Sequence, residues 1–223
     1  MNAPTATPMA SQVITLMAAL MLVVQLLMIA QRMLLTNIRL FAIQSLLLAG
    51  IAAVVAYYHN ASHVYVVAIL TIIGKVSFLP WLLNRLVHRI QIHQEIEPLL
   101  NAPTSMLLCG GLTLLGYVLA RPFTSLERLG TNTLAVAITL VLIGFFLMIN
   151  RRTALTQVLA LLTVENGVML AAVALTTYGM PLVVELGIFF DVLVAVMVLG
   201  ILVYRIRENF DSMDTSKLNQ LKG

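Results

Sequence analysis

The chain has 223 residues, of which 61% are hydrophobic and only 10% charged, and its mean hydropathy is +1.00. Soluble domains run ~45–50% apolar and ~25% charged, so an ordinary soluble domain is excluded and an all-α integral membrane protein is indicated. The net charge of +4 does not point to nucleic acid, because Lys and Arg fall mostly at helix ends, where the positive-inside rule puts them. The single Cys109 excludes an iron–sulfur cluster held by this chain and an internal disulfide. It lies in an apolar run beside Gly110 and Gly111 and reads as a small packing residue.

A spanning helix needs roughly 20 mostly apolar residues, and seven such stretches follow one another. Residues 1–11 form a short tail with no Lys or Arg. A cleavable signal would need a positive start, so the apolar run 12–30 is expected to remain as the first span. The runs 35–58 and 62–84 come next. Gln44 is polar at mid-depth in the second, and Lys75 lies near the middle of the third. Pro80, in Phe78-Leu79-Pro80-Trp81, frees a carbonyl one turn back and predicts a kink near residue 76.

Residues 90–130 combine a cytoplasmic loop with a linker span at 104–120. The loop sequence HRIQIHQEIEPLL fits a short interfacial helix stopped by Pro98, or a contact for a soluble partner. In the linker span Gly110, Gly111 and Gly116 are expected to permit close packing. The last spans cover 131–149, 154–177 and 181–204, followed by a cytoplasmic tail at 208–223. Glu165 and Asn166 fall halfway along the sixth span and Asp191 halfway along the seventh. Glu185 lies about a turn inside the outer end of the seventh.

A charge at membrane depth costs ~2.5–3.5 kcal/mol on insertion scales and usually faces a bundle interior or an ion path. Glu165 and Asp191 are therefore candidate proton-relay residues. Lys75 is a candidate proton exchanger or countercharge to a carboxylate. Glu185 is either the mouth of a path or an interfacial residue. Gln44 and Asn166 are expected to bridge helices by hydrogen bonds and form a possible secondary path. His59 and His63 are four apart, a spacing that suits two ligands on one helix face, but they straddle Asn60-Ala61-Ser62 and no third ligand is near. With His88 and His93 they read as surface or interfacial residues. No phosphate loop, nucleophile motif or metal cluster is present in the sequence, so no cofactor and no active site of its own are assigned to the chain.

Residues 12–89 and 131–207 line up as two three-helix units. The alignment sets Gln44 opposite Glu165 and Lys75 opposite Asp191. With the linker span between them, two such units run parallel, related by an axis along the membrane normal. Arg32, Arg39, Arg85, Arg89, Arg151, Arg152, Arg205, Arg207, Lys217 and Lys222 share one side of this topology, and only Arg121 and Arg128 lie on the other. The bias puts the N-terminus outside and the C-terminus in the cytoplasm.

The C-terminal part resembles the K-type membrane subunit of respiratory complex I and of cation/proton antiporters. It has Arg151-Arg152 before a helix with a central Glu165, then a helix with a central acid, Asp191, then the basic end YRIRENFDS. Over nearly its full length the chain is similar to the hydrogenase-4 component E family, through GKVSFLPWLL at 74–83, VENG at 164–167, VELGIFFD at 184–191 and the tail LNQLKG. The resemblance implies a membrane subunit of a complex I-related NiFe-hydrogenase of formate hydrogenlyase type in the cell inner membrane. It implies antiporter-like and other membrane subunits as partners, with NiFe and iron–sulfur centres on partner subunits. It also implies a lateral proton path through Glu165 and Asp191, with Asp191 standing where short K-type subunits usually have Glu. The alternatives are a small subunit of a multisubunit cation/proton antiporter and a structural membrane anchor.

The charge bias yields a direct expectation. A reporter fused after Gly223 should be reachable from the cytoplasm and shielded from the periplasm. Periplasmic reactivity of that reporter would reverse the topology.

Overall fold

The structure, a computed structural model, describes residues 8–59, 62–90, 98–123 and 132–175, and positions 187, 191, 194, 197, 198 and 201. Its helices are α1 (Pro8–Ala30), α2 (Leu34–His59), α3 (Ser62–Thr71), a π-helical segment (Ile72–Phe78), α4 (Leu79–Ile90), α5 (Ala102–Ala120), a short 3-10 turn (Arg121–Phe123), α6 (Thr133–Asn150) and α7 (Ala154–Leu175). Six stretches among the described residues are long and apolar enough to cross a membrane, with α3, the π segment and α4 joined in one of them, Val64–Arg85. The chain is a multi-pass membrane protein. The seventh span expected at 181–204 lies largely outside the described residues, although positions 187, 191, 194, 197, 198 and 201 within it are helical. The interfacial helix expected in loop 3 also falls mostly outside them, as do Glu185 and both chain ends.

Two apolar cores form at opposite ends of the bundle. One gathers Ile14, Ala18 and Met21 of α1, Leu48, Ile51 and Val55 of α2, Leu134 and Leu140 of α6, and Leu170 and Ala174 of α7. The other gathers Met28 of α1, Phe41 of α2, Leu79 and Leu83 of α4, Leu159 and Leu162 of α7, and Val194 and Val198. Along α1, α2 and α7 the two cores leave a gap of about two turns, and Gln25, Gln44, Ser45, Thr163, Glu165 and Asn166 lie in it. The lipid-facing surface is apolar as well: Leu107, Leu114 and Val118 of α5, for example, are exposed. Lipid is as apolar as leucine, so close packing and polar contacts, not hydrophobicity, must hold such helices together.

Small residues supply that packing where α6 meets α7. A Cβ on Gly144 would stand 2.5 Å from Val164 Cγ2, and one on Gly167 would stand 2.9 Å from Val141 Cγ2 and 3.0 Å from the Val141 nitrogen. The two helices thus approach backbone to backbone. Gly116 does the same for α5, where a Cβ would meet Thr139 of α6. Gly110 and Gly111 behave differently from the expectation: both are exposed and a Cβ on either would meet nothing within 4 Å. Of the three linker glycines, only Gly116 turns toward a neighbour.

The kink expected at Pro80 takes the form of a π-helical turn. Proline donates no N–H, and its ring crowds the carbonyl four residues back. The helix answers by widening: the N–H of Leu79 bonds to the carbonyl of Gly74, five residues away. Widened turns of this kind commonly mark functional sites, and here the turn contains Lys75.

At the opposite end of the π segment's neighbours, Arg151 stitches α6 to α1. Its buried guanidinium donates to the carbonyls of Met28 (3.0 Å), Ile29 (3.4 Å) and Gln31 (2.9 Å). These are carbonyls at the C-terminus of α1, where the helix has no partners of its own and where positive charge is favoured. In the sequence Arg151 stands as a loop charge and as half of the Arg151-Arg152 pair, and neither reading reveals this contact. Next to it, Asn150 fastens α6 to the start of α5: the N–H of Leu100 donates to its Oδ1 (2.9 Å), and its Nδ2 donates to Ser105 Oγ (3.2 Å).

The α6–α7 contact can be tested with two leucines. Gly144→Leu should destabilise the detergent-solubilised protein by ~1–3 kcal/mol or more, the usual range for overpacking, read as a lowered melting temperature. Gly110→Leu, on open surface, should leave it unchanged. Equal melting temperatures for both variants would refute the close approach.

Candidate functional site

Between the two apolar cores lies a layer of polar side chains. α1 contributes Gln25, α2 contributes Gln44 and Ser45, the π segment contributes Lys75, and α7 contributes Thr163, Glu165 and Asn166; Asp191 joins from the last helical stretch. Lys75 sits at the centre of Val64–Arg85 and Glu165 at the centre of Leu155–Leu175. Both thus lie midway between the ends of their spans.

The Lys75 ammonium is the hub. Its Nζ lies 3.1 Å from Glu165 Oε1 and 3.6 Å from Asp191 Oδ1, and it donates to Asn166 Oδ1 at 3.3 Å. Lys75 itself is buried, at 1% exposure. An ammonium has three N–H donors and no acceptor, and three oxygens from three residues face it. Lys75 thus forms ion pairs with both Glu165 and Asp191.

From Asn166 a chain of amides leads away from the ammonium. Asn166 Nδ2 donates to Gln44 Oε1 (3.2 Å) and to Ser45 Oγ (3.0 Å). Gln44 Nε2 donates to Gln25 Oε1 (2.7 Å) and toward the Met21 carbonyl (3.4 Å). Gln25 Nε2 donates to Thr163 Oγ1 (3.1 Å), which donates to the Ala160 carbonyl (2.7 Å). The ends dictate the direction of every link. Lys75 can only donate and a backbone carbonyl can only accept, so each amide must turn its oxygen toward Lys75 and its nitrogen away. Three aligned amide dipoles therefore present their negative ends toward the positive charge.

The two flanks of the ammonium differ. Gln25, Gln44, Ser45, Thr163 and Asn166 are each 0% exposed. The Glu165 and Asp191 side chains are 11% and 27% exposed. The amide flank is sealed and the carboxyl flank is the open one. On it Glu165 Oε2 is buried with no hydrogen-bond partner among the described residues, which leaves an oxygen free to take a proton. Chemically, one fixed cation beside two carboxyls can hold a proton and exchange it between them.

Lys75, Glu165, Asp191, Gln44 and Asn166, all singled out from the sequence, meet in this layer. Gln44 and Asn166 bond to each other as well as to the rest of the chain of amides. Glu185 lies outside the described residues. Gln25, Ser45 and Thr163 were missed. Gln25 had a readable signal, a lone amide inside the apolar run LMLVVQLLMIA, the same signal that marked Gln44. Ser45 and Thr163 carried none, because hydroxyl residues are ordinary in spanning helices.

Comparison with known proteins gives the following. Residues 132–223 match the family of NADH-ubiquinone/plastoquinone oxidoreductase chain 4L. An uncharacterised protein of Mycobacterium tuberculosis is 37% identical over 187 residues, covering 83% of this chain and 84% of that protein. Hydrogenase-4 component E of Escherichia coli strain K12 is 27% identical over 214 residues, covering 96% of this chain and 99% of that protein, and its Shigella flexneri counterpart matches equally. No solved structure matches the chain.

The amide chain makes a graded prediction. Asn166→Leu removes one acceptor from Lys75 and the donors to Gln44 and Ser45, so it should cost ~1–3 kcal/mol, the range for stranding buried polar groups. Gln25→Leu, two links further out, should cost less. Thermal unfolding of the purified membrane protein checks the order, and a Gln25 variant weaker than the Asn166 variant would contradict it.

Proposed function

The chain belongs to the hydrogenase-4 component E family, as a membrane subunit related to complex I, and from that premise we propose that it carries part of a proton path through Glu165, Asp191 and Lys75. The observation that supports this most is the meeting of two carboxyls on one ammonium at mid-membrane, with the carboxyl flank partly open. Two carboxylates and one ammonium sum to one negative charge. Such an excess is costly in a low-dielectric interior, so the cluster is at rest with one proton shared between the carboxyls and is poised to exchange that proton. Lys75 acts as the fixed countercharge. Glu165, the more buried of the two, takes the proton, and Asp191, the more exposed, passes it on.

The proposed setting is a membrane-bound NiFe-hydrogenase complex of the formate hydrogenlyase type. There the redox chemistry takes place on partner subunits, and antiporter-like membrane subunits extend the path on either side. In that assembly the N-terminus faces the periplasm and Arg151 lies at the cytoplasmic end. Two parallel units, 12–89 and 131–207, joined by the span at 104–120, are part of the same reading. It draws support from α1 packing on α6 and α2 packing on α7, each pair being the corresponding helices of the two units. The sealed amide flank does not conduct in this scheme: it braces Lys75 from behind.

Glu165→Gln keeps volume and hydrogen-bonding capacity but removes the exchangeable proton. In membrane vesicles carrying the intact complex, it should preserve assembly and hydrogenase activity with an artificial electron acceptor, while proton translocation falls at least ~10-fold, the scale on which a general acid–base group contributes. Unchanged translocation in the assembled variant would sink the proposal.

A further inference from the structure

We infer that Lys75 is a tethered cation that fixes the identity of the transported ion, restricting this site to protons and excluding Na⁺. The inference rests on the proton-path reading and adds the selectivity that reading leaves open.

The argument begins with what surrounds the ammonium. Glu165 Oε1, Asn166 Oδ1 and Asp191 Oδ1 lie 3.1, 3.3 and 3.6 Å from Nζ. Two carboxyl oxygens and one amide oxygen, from three separate residues, form the kind of hard oxygen set that binds an alkali or alkaline-earth cation. Lys75 already occupies the point on which they converge. A compact, strongly localised ammonium is the closest side-chain mimic of such an ion, and its three N–H groups match the three oxygens.

The amide chain strengthens the case. Asn166 turns its oxygen to Nζ, Gln44 its oxygen to Asn166 and Gln25 its oxygen to Gln44, so every link of the sealed flank runs in the sense that favours a positive charge at this one place. That flank also prevents the charge from leaving. Lys75 is bonded to its own backbone and 1% exposed, and Asn166 behind it is 0% exposed. A mobile metal ion would need to displace the ammonium or share its oxygens, and no second cation fits between groups 3.1–3.6 Å apart. A proton needs no coordination sphere: it adds to a carboxyl oxygen without displacing anything, and Glu165 Oε2 is such an oxygen. Charge balance gives the same answer. The tethered ammonium neutralises one carboxylate permanently, and the one remaining negative charge is met by a proton.

Without the ammonium the same oxygens become a vacant cation site with two negative charges. Lys75→Ala opens the space, and Lys75→Gln keeps most of the volume and an N–H for Asn166 while removing the charge. The test uses the intact complex in sealed proteoliposomes, with redox-driven proton translocation followed by a pH-sensitive dye in choline chloride and in NaCl. The wild type should give the same rate in both salts. Lys75→Ala should lose translocation in choline chloride and regain it as NaCl is added, because Na⁺ takes the place of the ammonium. Should Lys75→Ala fail to assemble, Lys75→Gln should show the same sodium rescue. A wild type that requires Na⁺ overturns the inference, as do assembled Lys75 variants that respond equally to both salts. Either result leaves the proton-path reading standing. Full translocation by Glu165→Gln, measured in the same vesicles, removes the path itself.

Discussion

An ammonium at the centre of a membrane-spanning helix must be met by oxygens before the bundle can close around it, and most of the polar architecture here follows from that requirement. Lys75 cannot reach water, because it lies midway along its span and is buried on every side. A lone charge in that position would be expelled or neutralised. The bundle instead brings an anionic oxygen from α7, another from Asp191 and an amide oxygen from Asn166 to the same atom. Asn166 then needs acceptors for its own N–H groups, and finds them on α2. Gln44 in turn needs an acceptor, and finds it on α1. One buried charge thus recruits side chains from α1, α2 and α7 and from the helical stretch that carries Asp191, with each amide satisfying the obligation of the one before it. The chain ends only at a backbone carbonyl that has capacity to spare.

The tight helix packing serves the same end. Gly144 and Gly167 let α6 and α7 touch backbone to backbone, and α7 carries Thr163, Glu165 and Asn166 in a single turn. Arg151, at the junction between these two helices, holds the end of α1 and so fixes the height of Gln25 against Thr163. A shift of α1 by one residue would move Gln25 by ~1.5 Å along the axis, enough to break a hydrogen bond at either end. Apolar cores above and below the polar layer keep water from competing for its hydrogen bonds. The layer is therefore both dry on one side and rigid, which are the conditions under which a fixed charge biases a neighbouring carboxyl strongly.

Charged residues are easy to read in such a sequence because they are so few. Lys75, Glu165 and Asp191 stood out against apolar runs, and their depths could be counted from the ends of the spans. Their side chains meet in one cluster. Facing was harder. In a soluble helix the polar side marks the exterior, but in lipid both sides are apolar, so the sequence does not say which way a residue turns. That is why Gly110 and Gly111 were expected at a helix contact they do not make, whereas Gly144 and Gly167, chemically identical, were not remarked upon. Gln25 escaped notice for a related reason: a neutral amide can be tolerated without a partner role more cheaply than a charge. Arg151 was counted as a loop charge because sequence distance from a helix says nothing about whose carbonyls a long side chain will reach.

The π-helical turn in Ile72–Phe78 also alters the phase of its span. An α-helix advances ~100° per residue, and a turn closed by an i to i+5 bond accommodates one more residue than an α-turn does. Everything beyond Phe78 is consequently rotated, relative to an uninterrupted helix, by about one residue's worth of arc. Above the turn, Val64 and Ala68 pack on Ala52 and Ala56 of α2. Below it, Leu79, Leu83 and Val87 pack into the other core, and Trp81 lies outward with Arg85 over its ring at 5.4 Å. The turn lies between these two contacts, with the lysine inside it. A homologous span without the bulge would need one residue fewer to present the same two faces, so residue-by-residue alignment across this point shifts register even where the architecture is the same.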